Sequence, residues 1–210
     1  MKITLLNCTD NPEQSIFNAA RVCYDSAPKD PEGISRFVLG LVKSGHTAMV
    51  EHANATVLIE DCSRVMTHEL VRHRLFSFAQ RSQRYVDESE PSYVVLDPEK
   101  SSISTLDEDK RKEAERIFEE AMSNAWGSYS QLLALGLKKE DARFVLPNAC
   151  TTTIVVSGNF REWRNFFTLR LSPRAQWEIR DAAYQILDML WAKAPSVFQD
   201  FKDGTSIQLT

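Results

Sequence analysis

The chain has 210 residues, 43% of them hydrophobic and 26% charged, with 25 Lys+Arg against 29 Asp+Glu and a formal net charge of −4. That is enough for one full core in a single domain, 1–210, and no run approaches the roughly 18 apolar residues of a membrane span. Four dispersed cysteines without a CxxC point to free thiols in a reducing cytosol, and seven glycines without GxGxxG or GxxxxGK exclude Rossmann and P-loop cradles.

The opening MKITLLNCTDNPEQ lacks the apolar core and cleavage site of a signal peptide, so a cytoplasmic location is expected. Lys2 to Leu6 reads as a strand. Asp10, Asn11 and Pro12 then announce a helix through Ile16, Ala19, Ala20 and Val22, ending near Cys23 to Asp25. Pro31 starts a second helix with Ile34, Phe37, Val38 and Leu41 on one face, and Gly45 stops it. His46 and His52 follow with Glu51 between them. Their spacing is not HExxH and no third ligand lies nearby, so no metal site is expected. Ala53, Ala55, Val57 and Ile59 alternate with polar neighbours as in a half-buried strand. Asp61 is placed to cap a helix from Cys62 to Val71, on which Glu69 and Arg72 share a face and could pair.

Arg72 to Tyr85 is the basic centre of an acidic chain, with Arg72, Arg74, Arg81, Arg84 and His73 and no acidic residue. Guanidinium groups grip phosphate bidentately, and Ser77, Gln80, Ser82 and Gln83 suit hydroxyls and base edges. A solvated helix face accounts for the charges equally well. Apolar neighbours from Val65 to Phe78 favour part-burial, where an arginine needs a partner. A single-strand nucleic-acid binder stacking bases on Phe76, Phe78 and Tyr85 fits the local pattern, but the net negative charge and single short stretch count against it.

Asp87 to Leu106, with two prolines, five serines and a small strand at Tyr93–Leu96, reads as an insertion that could cover a site. Leu106 to Leu135 is a long amphipathic helix whose DEDKRKEAER run is a solvated face, with Ile117, Phe118, Met122, Trp126, Leu132 and Leu133 as its apolar residues. Cys150 to Val156 is a β-branched strand, and Gly158-Asn159 turns it into a helix from Phe160 to Leu171, with Arg161 and Asn165 on one face. The last helix places Ala182, Ile186, Leu187, Leu190 and Trp191 at core spacing.

Arg72-His73-Arg74, seven residues, then Ser82 and Arg84 resembles the signature of the flavin-dependent thymidylate synthases. AARVC (19–23), GHTAMVEH (45–52), ARFVLP (142–147) and AQWEI (175–179) are similar to further elements of that family, with Cys23 where serine is common and Ala48 where Ser or Thr is. The resemblance implies an α+β fold with an antiparallel sheet packed with helices, and a homotetramer with sites shared between subunits. It implies conversion of dUMP to dTMP with methylenetetrahydrofolate as carbon donor and NADPH-reduced FAD as hydride donor. With no second nucleotide loop, nicotinamide and folate are expected to use the same flavin in turn. Carried over by position, it assigns FAD to His46, Ala48, Arg72, His73, Arg74, Gln80, Asn159, Arg161 and Asn165. It assigns dUMP to Glu69 (often Gln in the family), Arg72, Gln80, Arg81, Ser82, Gln83, Arg84, Arg143 and Arg170. Arg143 would reach a neighbouring subunit's site, and Arg170 would be catalytic.

Overall fold

A computed structural model of the chain describes residues 1–24 and 30–204. Its elements are β1 Lys2–Cys8, α1 Pro12–Tyr24, α2 Pro31–Lys43, β2 Asn54–Ser63, α3 Arg64–Leu70, β3 Ser77–Gln80, α4 Glu108–Ala134, α5 Lys139–Ala142, β4 Thr151–Asn159, α6 Phe160–Arg170, α7 Trp177–Lys193 and α8 Pro195–Lys202. Short 3-10 turns cover Thr47–His52, Ser102–Thr105 and Arg143–Val145. The strands make one antiparallel sheet in the order β1–β2–β4–β3, so the fold is α+β as expected. The contacts divide the chain into two compact units, Met1–Ile59 with Glu69–Ala79 and Val155–Thr210, and Glu60–His68 with Gln80–Ile154.

In the first unit the alternation expected of β2 is realised: Ala55, Val57 and Ile59 are buried. The α6 residues Phe160, Trp163, Phe166 and Phe167 are buried too, joined by Phe198 and Phe201 of α8. Their rings meet edge-on or tilted at 5.1–6.2 Å, and each buried Phe contributes about 1.5–3 kcal/mol. The helix α2 begins where Asp30 accepts from the Gly33 amide and ends before Gly45, whose φ of 78° is open to glycine without strain. The expected end of α1 at Asp25 falls outside the described residues; the helix is described to Tyr24. The terminal helix α8 was not expected; Pro195 at its first position is the signal that marks it.

Several expectations need correction. The strand β2 does not stop at Glu60, and Asp61 caps no helix. Asp61 sits at φ 55°, a left-handed conformation that aspartate tolerates, and the burial alternation slips there by one residue, as at a bulge. Cys62 and Ser63 are thereby both buried, and Ser63 Oγ accepts from the Met66 amide at 3.0 Å, so Ser63 is the cap and α3 is shorter than expected. Arg72 to Arg74 lie beyond the helix in a turn, where Arg72 and His73 donate backbone bonds to the Glu69 and Leu70 carbonyls. Gly158 makes no turn, because β4 runs directly into α6. Its missing side chain matters otherwise: a Cβ there would stand 2.2 Å from the Phe76 ring, whose close approach only glycine allows.

β3 takes Ser77–Gln80 out of the segment read as one basic motif, whereas in the second unit the strand expected at Tyr93–Leu96 is reduced to a single bridge between Tyr93 and Cys150. The apolar face of α4 is narrower than expected: Met122, Trp126 and Tyr129 are buried, and Ile117 is exposed. Its charged first half is solvated, as expected, with i,i+3 and i,i+4 pairs from Lys112, Arg111 and Arg116 to glutamates. The 87–106 stretch is fastened rather than loose. Tyr93 packs on Phe118 and Trp126 and donates to Glu119 at 2.6 Å, Trp126 Nε1 donates to the Glu88 carbonyl, and Ile103 is buried.

Candidate active site

Each unit gathers part of the expected site. In the first, α6 ends on Arg170, and its guanidinium closes a three-way network. Nε donates to His73 Nε2 at 3.0 Å, Nη1 to Glu69 Oε2 at 2.6 Å, and Nη2 to the Glu69 carbonyl at 3.2 Å. The carboxylate expected to pair with Arg72 along the helix therefore pairs with Arg170, because α3 ends before Arg72 can sit one turn above it. Among the described residues three of the five guanidinium N–H groups are used, which leaves one on each terminal nitrogen. The Arg170 side chain is 19% exposed.

His73 turns inward. It is 5% exposed, edge-on to Phe166 at 5.1 Å and near Phe76. Burial, reinforced by the Arg170 charge, pushes its pKa down to about 4. The ring is neutral at pH 7, and Nε2 is the acceptor for Arg170. Arg72 and Arg74, on either side of it, are exposed. Among the described residues neither guanidinium has a carboxylate partner, unlike Arg81, Arg84, Arg161 and Arg170.

The other expected flavin residues of this unit are partly committed. Asn159 caps α6, its Oδ1 accepting from the Glu162 amide at 3.0 Å. Arg161 is paired with Glu51 at 2.5 Å. Asn165, His46 and Ala48 are exposed, the latter two at the 3-10 turn.

In the second unit Gln80 closes β3, and its amide donates to Thr67 Oγ1 at 3.0 Å and Thr152 Oγ1 at 3.3 Å. Ser82 Oγ accepts from the Arg84 amide at 3.2 Å, and the Ser82 carbonyl accepts from Tyr85 and Val86, making a tight turn. Gln83 is buried beside Cys150. Arg84 Nε donates to Glu140 Oε2 at 3.0 Å, and Arg143 Nε donates to the Glu140 carbonyl at 3.2 Å. Two arginines 59 positions apart thus meet at one glutamate of α5, a juxtaposition that spacing alone does not reveal. Arg81 is paired with Glu88 at 3.5 Å. Sequence reasoning missed Arg64, Glu88 and Glu140, because an acidic or basic residue gives no sign of its partner before the fold is known.

The family model described as thymidylate synthase complementing protein matches residues 4–196. A flavin-dependent thymidylate synthase of Geobacter sulfurreducens is 40% identical over 211 residues, covering 97% of this chain and 88% of that protein. One from Corynebacterium glutamicum is 42% identical, covering 89% of this chain and 78% of that protein. Among solved structures, the UMP/dUMP methylase PolB from Streptomyces cacaoi, bound with 5-Br dUMP, superposes with a TM-score of 0.85 at 24% identity, covering 96% of this chain and 94% of that one; it shows the shared fold. With a family model over nearly its whole length and relatives near 40% identity, the chain belongs to the flavin-dependent thymidylate synthase family.

Proposed function

We propose that this chain converts dUMP to dTMP, with methylenetetrahydrofolate as carbon donor and NADPH as the source of hydride through FAD. The observation that carries the reading is Arg170, fixed by Glu69 and His73 with two N–H donors left over. Those donors suit the uracil N3–O2 edge, where they would stabilise negative charge on the ring and raise the nucleophilicity of C5. Neutral His73 supports this by holding the plane of the guanidinium without competing for negative charge. Arg84 and Arg143, together at Glu140, suit the nucleotide phosphate, and Ser82 and Gln83 its polar edges. Anaerobic addition of NADPH should bleach the flavin, and product should appear only with dUMP and the folate. Bleaching without any dTMP under saturating substrates would overturn the assignment.

The residues present fit FAD. Two exposed arginines without acidic partners among the described residues, on a chain of net charge −4, suit a pyrophosphate. Arg72 and Arg74 would hold it, with Asn159, Asn165, His46 and the Ala48 backbone lining the rest. When bound, FAD supplies the redox step. Losing one charge-assisted contact costs about 1.5–3 kcal/mol. Arg74→Ala should therefore purify with much less FAD at unchanged circular dichroism, and full occupancy would remove Arg74 from the cofactor contacts.

A homotetramer with shared sites completes the reading. Arg84 and Arg143 of one chain meet at the same Glu140, so they serve one site together, and the informative mixture pairs either of them with Arg170. Arg84→Ala and Arg170→Ala subunits, each strongly impaired alone, should recover part of the activity after exchange. No recovery after verified mixing would place each site within a single chain.

No side chain is expected to attack the substrate. Cys150 is 1% exposed, and burial together with Glu88 pushes its thiol up to about 11, so almost no thiolate is present at pH 7. Among the described residues Ser82 Oγ is bonded to no base, and it accepts from the Arg84 amide at 3.2 Å. Cys150→Ala should keep turnover close to that of the unsubstituted enzyme, measured as dTMP formed. A trapped covalent adduct between dUMP and Cys150 would contradict this.

A further inference from the structure

The second unit contains a polar cluster around the buried Glu88, of which Arg64 and Glu88 have no role in the assignments above. Arg64, the first residue of α3, donates from Nη2 to the Arg81 carbonyl at 3.1 Å. Glu88 is 5% exposed; its Oε2 accepts from Arg81 Nη2 at 3.5 Å, and its Oε1 has no partner among the described residues. The Glu88 carbonyl accepts from Trp126 Nε1 at 2.8 Å, which ties it to the Met122–Trp126–Cys150 core. Arg81 is thus gripped twice, by its carbonyl from Arg64 and by its guanidinium from Glu88. The next residues along the chain are Ser82, Gln83 and Arg84.

We propose that Arg64 and Glu88 are positioning residues for the nucleotide-binding segment Gln80–Arg84, fixing the backbone and side chain of Arg81 so that the Ser82 turn presents Ser82 and Arg84 in one conformation. An ion pair with one partner exposed, as Arg81 is at 38% against 5% for Glu88, is a poor source of fold stability, because solvent screens one charge and burial desolvates the other. This one is poorer still, with a carboxylate oxygen and the Arg64 Nε left without partners among the described residues. Burial lowers the pKa of Arg64 and raises that of Glu88, while each is partly restored by the other's charge. Apolar residues would fill this space at less cost, but they could not hold a peptide carbonyl and a guanidinium in fixed directions. The geometry also changes the reading of Arg81: Arg64 holds its carbonyl and Glu88 its guanidinium, so it serves the site by fixing the turn that follows it.

The inference rests on dUMP being the substrate, so the test begins with calorimetric binding of dUMP to the FAD-loaded enzyme. Absence of binding to the unsubstituted enzyme would overturn both readings. Given binding, Arg64→Met and Glu88→Gln should each raise KM for dUMP about tenfold, the equivalent of one hydrogen bond of about 1.4 kcal/mol. The kcat at saturating dUMP and the FAD content should stay close to those of the unsubstituted enzyme, and Arg64→Lys should restore part of the loss. Met122→Ala, in the adjoining core, is the control for general loosening: it should lower Tm without moving KM. Unchanged KM in folded Arg64→Met and Glu88→Gln, or an equal rise of KM in Met122→Ala at equal loss of Tm, would overturn the proposal while leaving dUMP as substrate.

Discussion

Arg170→Ala is expected to retain FAD, to be reduced by NADPH, and to form dTMP about 10²–10³-fold more slowly, the loss seen when a donor to a developing negative charge is removed. The reasoning runs from geometry. Glu69 and His73 use three N–H groups of Arg170 and leave two on the terminal nitrogens. A guanidinium whose plane is set in advance need not reorganise when charge develops on the uracil ring. The alternative is an arginine that merely closes a helix end, and part of that is realised, since Nη2 does bond the Glu69 carbonyl near the end of α3. The two roles separate in the kinetics. A structural arginine would lower Tm and flavin content together with turnover, whereas a catalytic one loses kcat in a folded, flavin-loaded protein saturated with dUMP. Arg170→Lys should not recover the rate, because an ammonium cannot bond His73, Glu69 and a ring edge in one plane. Undiminished dTMP formation by folded Arg170→Ala would end the catalytic role.

Much of this site was legible before the fold. The RHR and Ser-x-Arg spacing, the AARVC and AQWEI runs and the alternation of β2 each rest on local pattern, and local pattern survives folding. Three things did not. The bulge at Asp61 moved the start of α3 from Cys62 to Arg64, because a one-residue slip leaves no trace in composition. The partner of Glu69 came from 101 positions away, so an i,i+3 rule chose the wrong arginine. Arg72, His73 and Arg74 read as one basic run, yet burial divides them: a neutral ring faces inward between two exposed guanidiniums.

That division makes His73 the site of a measurable pH dependence. Its folded pKa, about 4, lies below the ordinary histidine value of 6.5, because burial and the Arg170 charge both disfavour the imidazolium. The unfolded chain takes up the proton first as pH falls, so between those two values stability must rise with pH. The stabilising contribution is complete above about pH 6.5, declines through the interval, and is gone below about pH 4. An interval of about 2.5 pH units at 1.36 kcal/mol each makes the total on the order of 3 kcal/mol, and roughly 2 kcal/mol of it is lost by pH 5. Burial raises the pKa of the Glu88 carboxyl as well, so the wild-type profile alone does not isolate His73. His73→Gln provides the reference: its amide oxygen can accept the Arg170 Nε–H bond, and it does not titrate. The fall in unfolding free energy from pH 7 to pH 5 should be smaller in His73→Gln than in the unsubstituted protein by roughly 2 kcal/mol. The His73 ring, followed by carbon-13 NMR, should keep the shifts of a neutral imidazole down to pH 5. Identical pH profiles for the two proteins, or a His73 ring that protonates near pH 6.5, would show that the histidine is not held neutral against Arg170.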